Sequence, residues 1–138
     1  MKALALLAVL AASTPAFAAN PAPALIYDGI CVVNTFAPGR DDLAFESLYQ
    51  GRLQIHAGEE IELVRTENSI VSVRGQVGTP GEQVQHHLYL NIRRASDNKM
   101  VASGKAAWLA GESAPFDVDA LTEVAEAPRT LTAACVRF

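Results

Sequence analysis

Residues 83–94 read QVQHHLYLNIRR, and the alternation of apolar and polar side chains in this stretch predicts a β-strand buried on one face. Leu88, Leu90 and Ile92 fall in one phase, which we expect to face a core. Successive side chains of a strand point to opposite faces, so the other phase faces outward. That outward row is the candidate binding surface, and its members are His87, Tyr89, Asn91 and Arg93.

The same alternation recurs along most of the chain and predicts the fold class. SIVSVRGQV (69–77) and RTLTAACVRF (129–138) repeat it, and turn-forming residues such as Gly78-Thr79-Pro80-Gly81 separate the runs. PFDVDAL (115–121) is a predicted strand and TEVAEAP (122–128) a predicted loop. The pattern predicts an all-β, immunoglobulin-like antiparallel β-sandwich of about 7–8 strands.

One segment, DDLAFESLYQG (41–51), fits two structures. Phe45, Leu48, Tyr49 and Arg52 have the i, i+3, i+4, i+7 spacing of a helix face, and Gly51 is a suitable helix end. Residues 41–50 therefore form either a short helix or a further strand.

The chain begins with a stretch typical of a secretory signal peptide. Lys2 supplies a positive charge, an apolar run follows, and Ala16-Phe17-Ala18 matches the pattern accepted by signal peptidase. We expect residues 1–18 to be the signal peptide, 19–24 a flexible leader and 25–138 a single β-sandwich domain. A membrane-spanning helix needs about 20 apolar residues, and the apolar run of residues 3–12 is shorter than this. We therefore expect no stable membrane insertion. The protein is expected to be exported, and periplasmic or secreted.

The charge of the mature chain argues against nucleic acid as a partner. Cleavage removes Lys2, which leaves 10 basic side chains against 15 acidic ones, a formal charge of -5. Nucleic-acid binding requires clustered Lys and Arg, and Arg93-Arg94 is the single basic doublet.

Two cysteines, Cys31 and Cys135, remain after processing. In an exported protein an even number of cysteines indicates disulfides, and two cysteines allow one pairing. We expect a disulfide that joins the two ends of the domain.

The three histidines offer an alternative function. His86 and His87 are adjacent, so on a regular strand they point to opposite faces and do not share one metal ion. A metal site would need His56 with His86 or His87 and a carboxylate such as Glu59 or Asp117, since catalytic zinc takes three protein ligands. We expect no cofactor, and a periplasmic metal-binding protein is the alternative.

No nucleophile elbow, nucleotide-binding glycine pattern or zinc-protease motif occurs in the sequence, which disfavours an enzyme. The leading hypothesis is an exported, non-enzymatic protein-binding or assembly module with a protein partner of unknown identity. A small enzyme inhibitor is a further alternative.

The stretch VRGQVGTPGEQVQHHLYLNIRRASDNKMVASG (73–104) resembles the central strands of small curli-assembly chaperones. That resemblance implies an immunoglobulin-like periplasmic protein that restrains amyloid subunits. In size, export and cysteine usage the chain is also similar to small periplasmic lysozyme inhibitors, although their inhibitory motif is missing. Both resemblances concern the fold, and a fold does not determine a function.

Overall fold

The computed structural model of the protein describes residues 23–37, 45–78, 85–112, 120–126 and 128–138. The predicted signal peptide and residues 19–22 of the predicted leader lie outside these ranges, so cleavage and export stay predictions. Within the described ranges there is no helix of the length and apolarity that crossing a bilayer requires.

Eight β-strands make up the described part of the chain. They are β1 (Leu25–Phe36), β2 (Phe45–His56), β3 (Glu60–Arg65), β4 (Ser69–Val77), β5 (Gln85–Arg94), β6 (Met100–Leu109), β7 (Ala120–Glu126) and β8 (Arg129–Arg137).

The strands form two antiparallel sheets, which confirms the predicted β-sandwich. The strand orders are β2-β1-β8-β7 and β3-β4-β5-β6. Every strand pairs with its sequence neighbour except where the chain changes sheets, after β2 and after β6, and the last strand pairs with the first. The order is therefore a meander closed on itself, whereas immunoglobulin domains use Greek-key connections.

The core lies between the sheets and consists of the inward phases of the central strands. Leu88, Leu90 and Ile92 of β5 are fully buried, as the alternation of QVQHHLYLNIRR predicts. They meet Val33 of β1 and Leu131 of β8, which are also fully buried. Burial of each such side chain contributes about 1.5–3 kcal/mol.

The predicted disulfide is confirmed. Cys31 of β1 and Cys135 of β8 are directly paired in register, with Cα atoms 4.1 Å apart. Both are fully buried. The bond links neighbouring strands of one sheet and so joins the first and last strands of the closed meander.

Residues 45–50 belong to β2, so the strand alternative for this segment is confirmed there, and residues 41–44 lie outside the described ranges. The helix-like spacing of apolar residues in this segment arises from an irregularity in the strand. The register between β1 and β2 shifts between Val33 and Asn34, so that β2 carries an extra residue, Leu48, beside Tyr49. Two adjacent apolar side chains then resemble a helix face, although the strand pairs with β1 on both sides of the shift.

The two sides of the sandwich differ. On one side β6 and β7 approach so closely that a Cβ atom on Gly104 would lie 2.4 Å from the backbone oxygen of Leu121. Glycine is therefore required where this side closes. On the other side β2 and β3 are joined through the short segment Ala57–Glu59, which hydrogen-bonds to Gly75 of β4.

Candidate functional site

The predicted binding row lies on the outer face of the β3-β4-β5-β6 sheet, opposite the fully buried phase of β5. Its four members differ in exposure. His87, Tyr89 and Arg93 are partly exposed, whereas Asn91 is buried at 5% exposure, and its Oδ1 accepts a hydrogen bond of 2.9 Å from Ser103 Oγ. Asn91 lies in the outward phase, as predicted, but it is bonded within the sheet and offers little surface for contact.

Tyr89 is the centre of the exposed part of this face. Register pairing places Arg74 of β4 on one side of it and Lys105 of β6 on the other. The Arg74 Cζ lies 5.2 Å from the centroid of the tyrosine ring and the Lys105 Nζ lies 5.5 Å from it. Each such cation–π contact is worth about 0.5–1 kcal/mol at an exposed site, so the two cations are held against the ring.

His87 extends the aromatic surface along β5. Its ring stacks beside that of Tyr89, with centroids 6.2 Å apart and planes 12° apart. A Cβ atom on Gly78 would lie 2.3 Å from the His87 Nε2, so a larger residue at this position would require the ring to shift. His87 Nδ1 is buried and has no hydrogen-bond partner among the described residues. The four side chains Arg74, His87, Tyr89 and Lys105 are called the Tyr89 platform below.

The charges around the platform are unevenly paired. Arg93 donates a hydrogen bond of 2.8 Å to Glu60, which also accepts one of 2.9 Å from Ser72. Arg93 and Ser72 together lower the pKa of Glu60 and keep it ionised, although partial burial opposes this. Arg93, the last member of the predicted row, is therefore engaged within the sheet.

Neither platform cation forms an ion pair among the described residues, although the charge of Arg74 contributes to the lowered pKa of Glu60. Arg74 donates a hydrogen bond to the Gln76 side chain, and Glu60, its register neighbour, turns its carboxylate to Arg93. Lys105 forms no ion pair within the described ranges. Two positive charges and two aromatic rings are thus presented together on an acidic protein.

The adjacent histidines lie in different surroundings. His86 contacts the nearly buried Trp108 edge-on, with ring centroids 6.2 Å apart, while His87 belongs to the outer face. Burial lowers the pKa of His86, and the positive charge of Arg137 lowers it further. The third histidine, His56, ends β2, where its Nδ1 lies 3.7 Å from a carboxylate oxygen of Glu59.

The described residues contain no group of three or more His, Cys, Asp or Glu side chains arranged to hold a metal ion. Asp117, one of the carboxylates considered for such a site, lies outside the described ranges.

A separate cavity of about 400 Å³ opens at the end of the sandwich where β3, β5 and β7 finish. Glu126 lines it and accepts hydrogen bonds from the hydroxyls of Ser69 and Thr66. Arg94, at the rim, pairs with Asp97 at 3.0 Å. The charged groups Glu126 and Arg94 are thus already bonded to neighbouring side chains, and no aromatic residue lines the cavity among the described residues.

Comparison with protein-family models, with curated proteins and with solved structures gives no match to this chain. The resemblances to curli-assembly chaperones and lysozyme inhibitors therefore stay predictions.

Proposed function

We propose that this protein is an exported, non-enzymatic binding module that recognises an acidic protein partner through the Tyr89 platform. The signal-like N-terminus supports export, and the Cys31–Cys135 disulfide is compatible with an oxidising compartment. The proposed location is therefore the periplasm or the outside of the cell.

The observation that carries the proposal is the arrangement of charge around one aromatic ring. Arg74 and Lys105 lie on opposite sides of Tyr89, and within the described ranges neither forms an ion pair with a carboxylate. Tyrosine and arginine are enriched among the residues that dominate binding energy at protein interfaces. Carboxylates of an acidic partner would meet the two cations, one on each side of the ring, and apolar neighbours of those carboxylates would cover the rings of Tyr89 and His87.

Side-chain bonds of the other two residues of the row, Asn91 and Arg93, order this surface before a partner binds. Asn91 is fixed by Ser103, and Arg93 is fixed by Glu60. The strands that carry the platform are thus held rigid by side-chain bonds as well as by the sheet. A pre-ordered surface loses less conformational entropy on binding, so it supports a higher affinity for the same contacts.

The test uses amide chemical-shift mapping of the oxidised protein with two synthetic peptides, one of eight glutamates and one of eight lysines. The acidic peptide is expected to shift the signals of Arg74, Tyr89 and Lys105, and added salt weakens the effect because exposed charges are screened. The basic peptide is expected to leave these three signals unchanged.

Matched charge reversals separate the platform from net charge. Lys105→Glu is expected to lower the affinity for the acidic peptide about tenfold, a loss of about 1.4 kcal/mol. Lys99→Glu makes the same change in an exposed turn and is expected to have little effect. Equal losses in both variants, or shifts distributed away from the platform, would contradict the proposal.

A further inference from the structure

The side of the sandwich formed by β2 and β3 leaves apolar side chains partly exposed. Within the described ranges, the β6–β7 side is closed by the contact between Gly104 and Leu121. On the β2–β3 side the inward residues pack against the core but remain partly open to solvent. They are Leu48, Tyr49 and Leu53 on β2, and Ile61, Leu63 and Val64 on β3.

The outer edge of β2 is a long template for a further strand. β2 has 12 residues and, among the described strands, pairs only with β1. An edge strand presents unpaired backbone N–H and C=O groups, and proteins protect such edges with charges, bulges or short length. β2 carries only Glu46 and Arg52 as permanently charged residues.

The β3 edge is protected in all three ways and is half the length of β2, although β2 also has a register shift at Leu48. It has 6 residues, among them Glu60, Glu62 and Arg65. Its pairing with β4 shifts between Glu62 and Val64. Addition of a strand is therefore favoured at β2 and disfavoured at β3.

The sequence of β2 is complementary to itself. Its pairing with β1 is regular from Tyr49 to Ile55. An antiparallel copy centred on Arg52 would place two arginines opposite each other, which is unfavourable. A copy centred on Gly51 instead places Arg52 opposite Gln50, where a hydrogen bond can form, and Tyr49 opposite Leu53.

The Gly51-centred pairing also covers apolar side chains of β2 that are partly exposed in the monomer. Tyr49 and Leu53 point to the inner face, and pairing across the edge brings one aromatic and one aliphatic side chain together twice, once on each side of the axis. Within the regular part of β2 it aligns Tyr49 to Leu53 with the same residues of the copy.

We infer that β2 of one protomer pairs antiparallel with β2 of a second copy about a two-fold axis through Gly51. The two β2-β1-β8-β7 sheets then form one continuous sheet of eight strands. This surface is on the opposite sheet from the Tyr89 platform, so the dimer and the binding of an acidic partner are independent of each other.

The test is sedimentation velocity of the purified, oxidised protein over a range of concentrations, with substitutions of opposite charge at one exposed position. Gln50→Arg sets an arginine opposite Arg52 twice, and Gln50→Glu sets a glutamate there twice. Since each cross-strand pair contributes about 0.2–1 kcal/mol, the dimer dissociation constant is expected to rise about 2- to 30-fold for Gln50→Arg. It is expected to fall by a similar factor for Gln50→Glu.

Gln54→Arg is the matched control, because the Gly51-centred pairing does not place Gln54 opposite Arg52. Circular dichroism and Trp108 fluorescence verify that each variant is folded. The inference is overturned if the protein stays monomeric up to a concentration about 100 times a micromolar dissociation constant. At that concentration a dimer would dominate. A dimer that responds equally to the Gln50 and Gln54 variants, or to neither Gln50 variant, overturns it as well.

Discussion

Reduction of the Cys31–Cys135 disulfide is expected to remove a large share of the free energy of unfolding. The two cysteines are 104 residues apart in sequence, and the chain-entropy relation gives about 4.7 kcal/mol for closing a loop of roughly this length. Domains of ordinary size have a total free energy of unfolding of about 5–15 kcal/mol. The closed meander holds its first and last strands together by pairing alone once the bond is broken.

The assay is urea unfolding of the oxidised and reduced protein, followed by the fluorescence of Trp108, the single tryptophan. Trp108 is 8% exposed and contacts Tyr27 and Arg137, so it reports the core. With an m value of about 2 kcal/mol per M, the loss corresponds to a midpoint lower by about 2 M urea.

A double variant, Cys31→Ala with Cys135→Ala, provides the control, because reductant is expected to leave its midpoint unchanged. A decrease below about 1 kcal/mol on reduction of the wild-type protein would refute the reasoning. It would mean that the chain ends are already constrained in the unfolded state.

Three further predictions concern packing and protonation. Leu90→Ala is expected to lower the free energy of unfolding by about 2–5 kcal/mol, because it leaves a cavity in the core. Leu109→Ala, at an exposed position, is expected to change it by less than about 0.5 kcal/mol in the same urea titration. Equal effects of the two substitutions would contradict the observed core. Gly104→Ala introduces a Cβ 2.4 Å from the Leu121 backbone oxygen, so a loss of about 1–3 kcal/mol is expected, and unchanged stability would show that β6 and β7 are not closed there. His86 has a lowered pKa in the folded protein because its ring is partly buried and lies near the positive charge of Arg137. His86 therefore binds a proton more readily in the unfolded chain. The free energy of unfolding of the wild-type protein should fall relative to that of His86→Gln as the pH decreases from about 6.5 towards the lower folded pKa. A constant difference between the two free energies across this range would contradict the assigned environment.

The alternation of side chains was sufficient to predict the sandwich and the inward residues of β5, and the number of cysteines was sufficient to predict the disulfide. These features depend on local periodicity and on the number of cysteines, both of which are visible in the sequence. β7 was placed wrongly, since residues 122–126 of the predicted loop are strand. Its inward residues Ala120, Thr122 and Val124 do alternate with outward ones, but the alanines and glutamates of this segment have low β-propensity.

The candidate site was predicted only in part. The sequence placed Tyr89 and His87 on an outward face, but it contained no indication that Arg74 and Lys105 flank the same ring. Those two residues lie 31 positions apart, and their approach depends on the register of β4 and β6 against β5. Register is fixed by the packing of the whole sheet, so it is not visible in any single strand.

We propose that the Tyr89 platform binds an acidic protein. The most direct test is quantitative affinity capture from the protein's own envelope and secreted extract, with wild-type protein and a Tyr89→Ala variant as parallel baits and mass spectrometry as the readout. We predict one near-stoichiometric acidic protein on the wild-type bait that is strongly depleted on the variant. Equal recovery by both baits, or no protein retained by the wild-type bait, would contradict the claim.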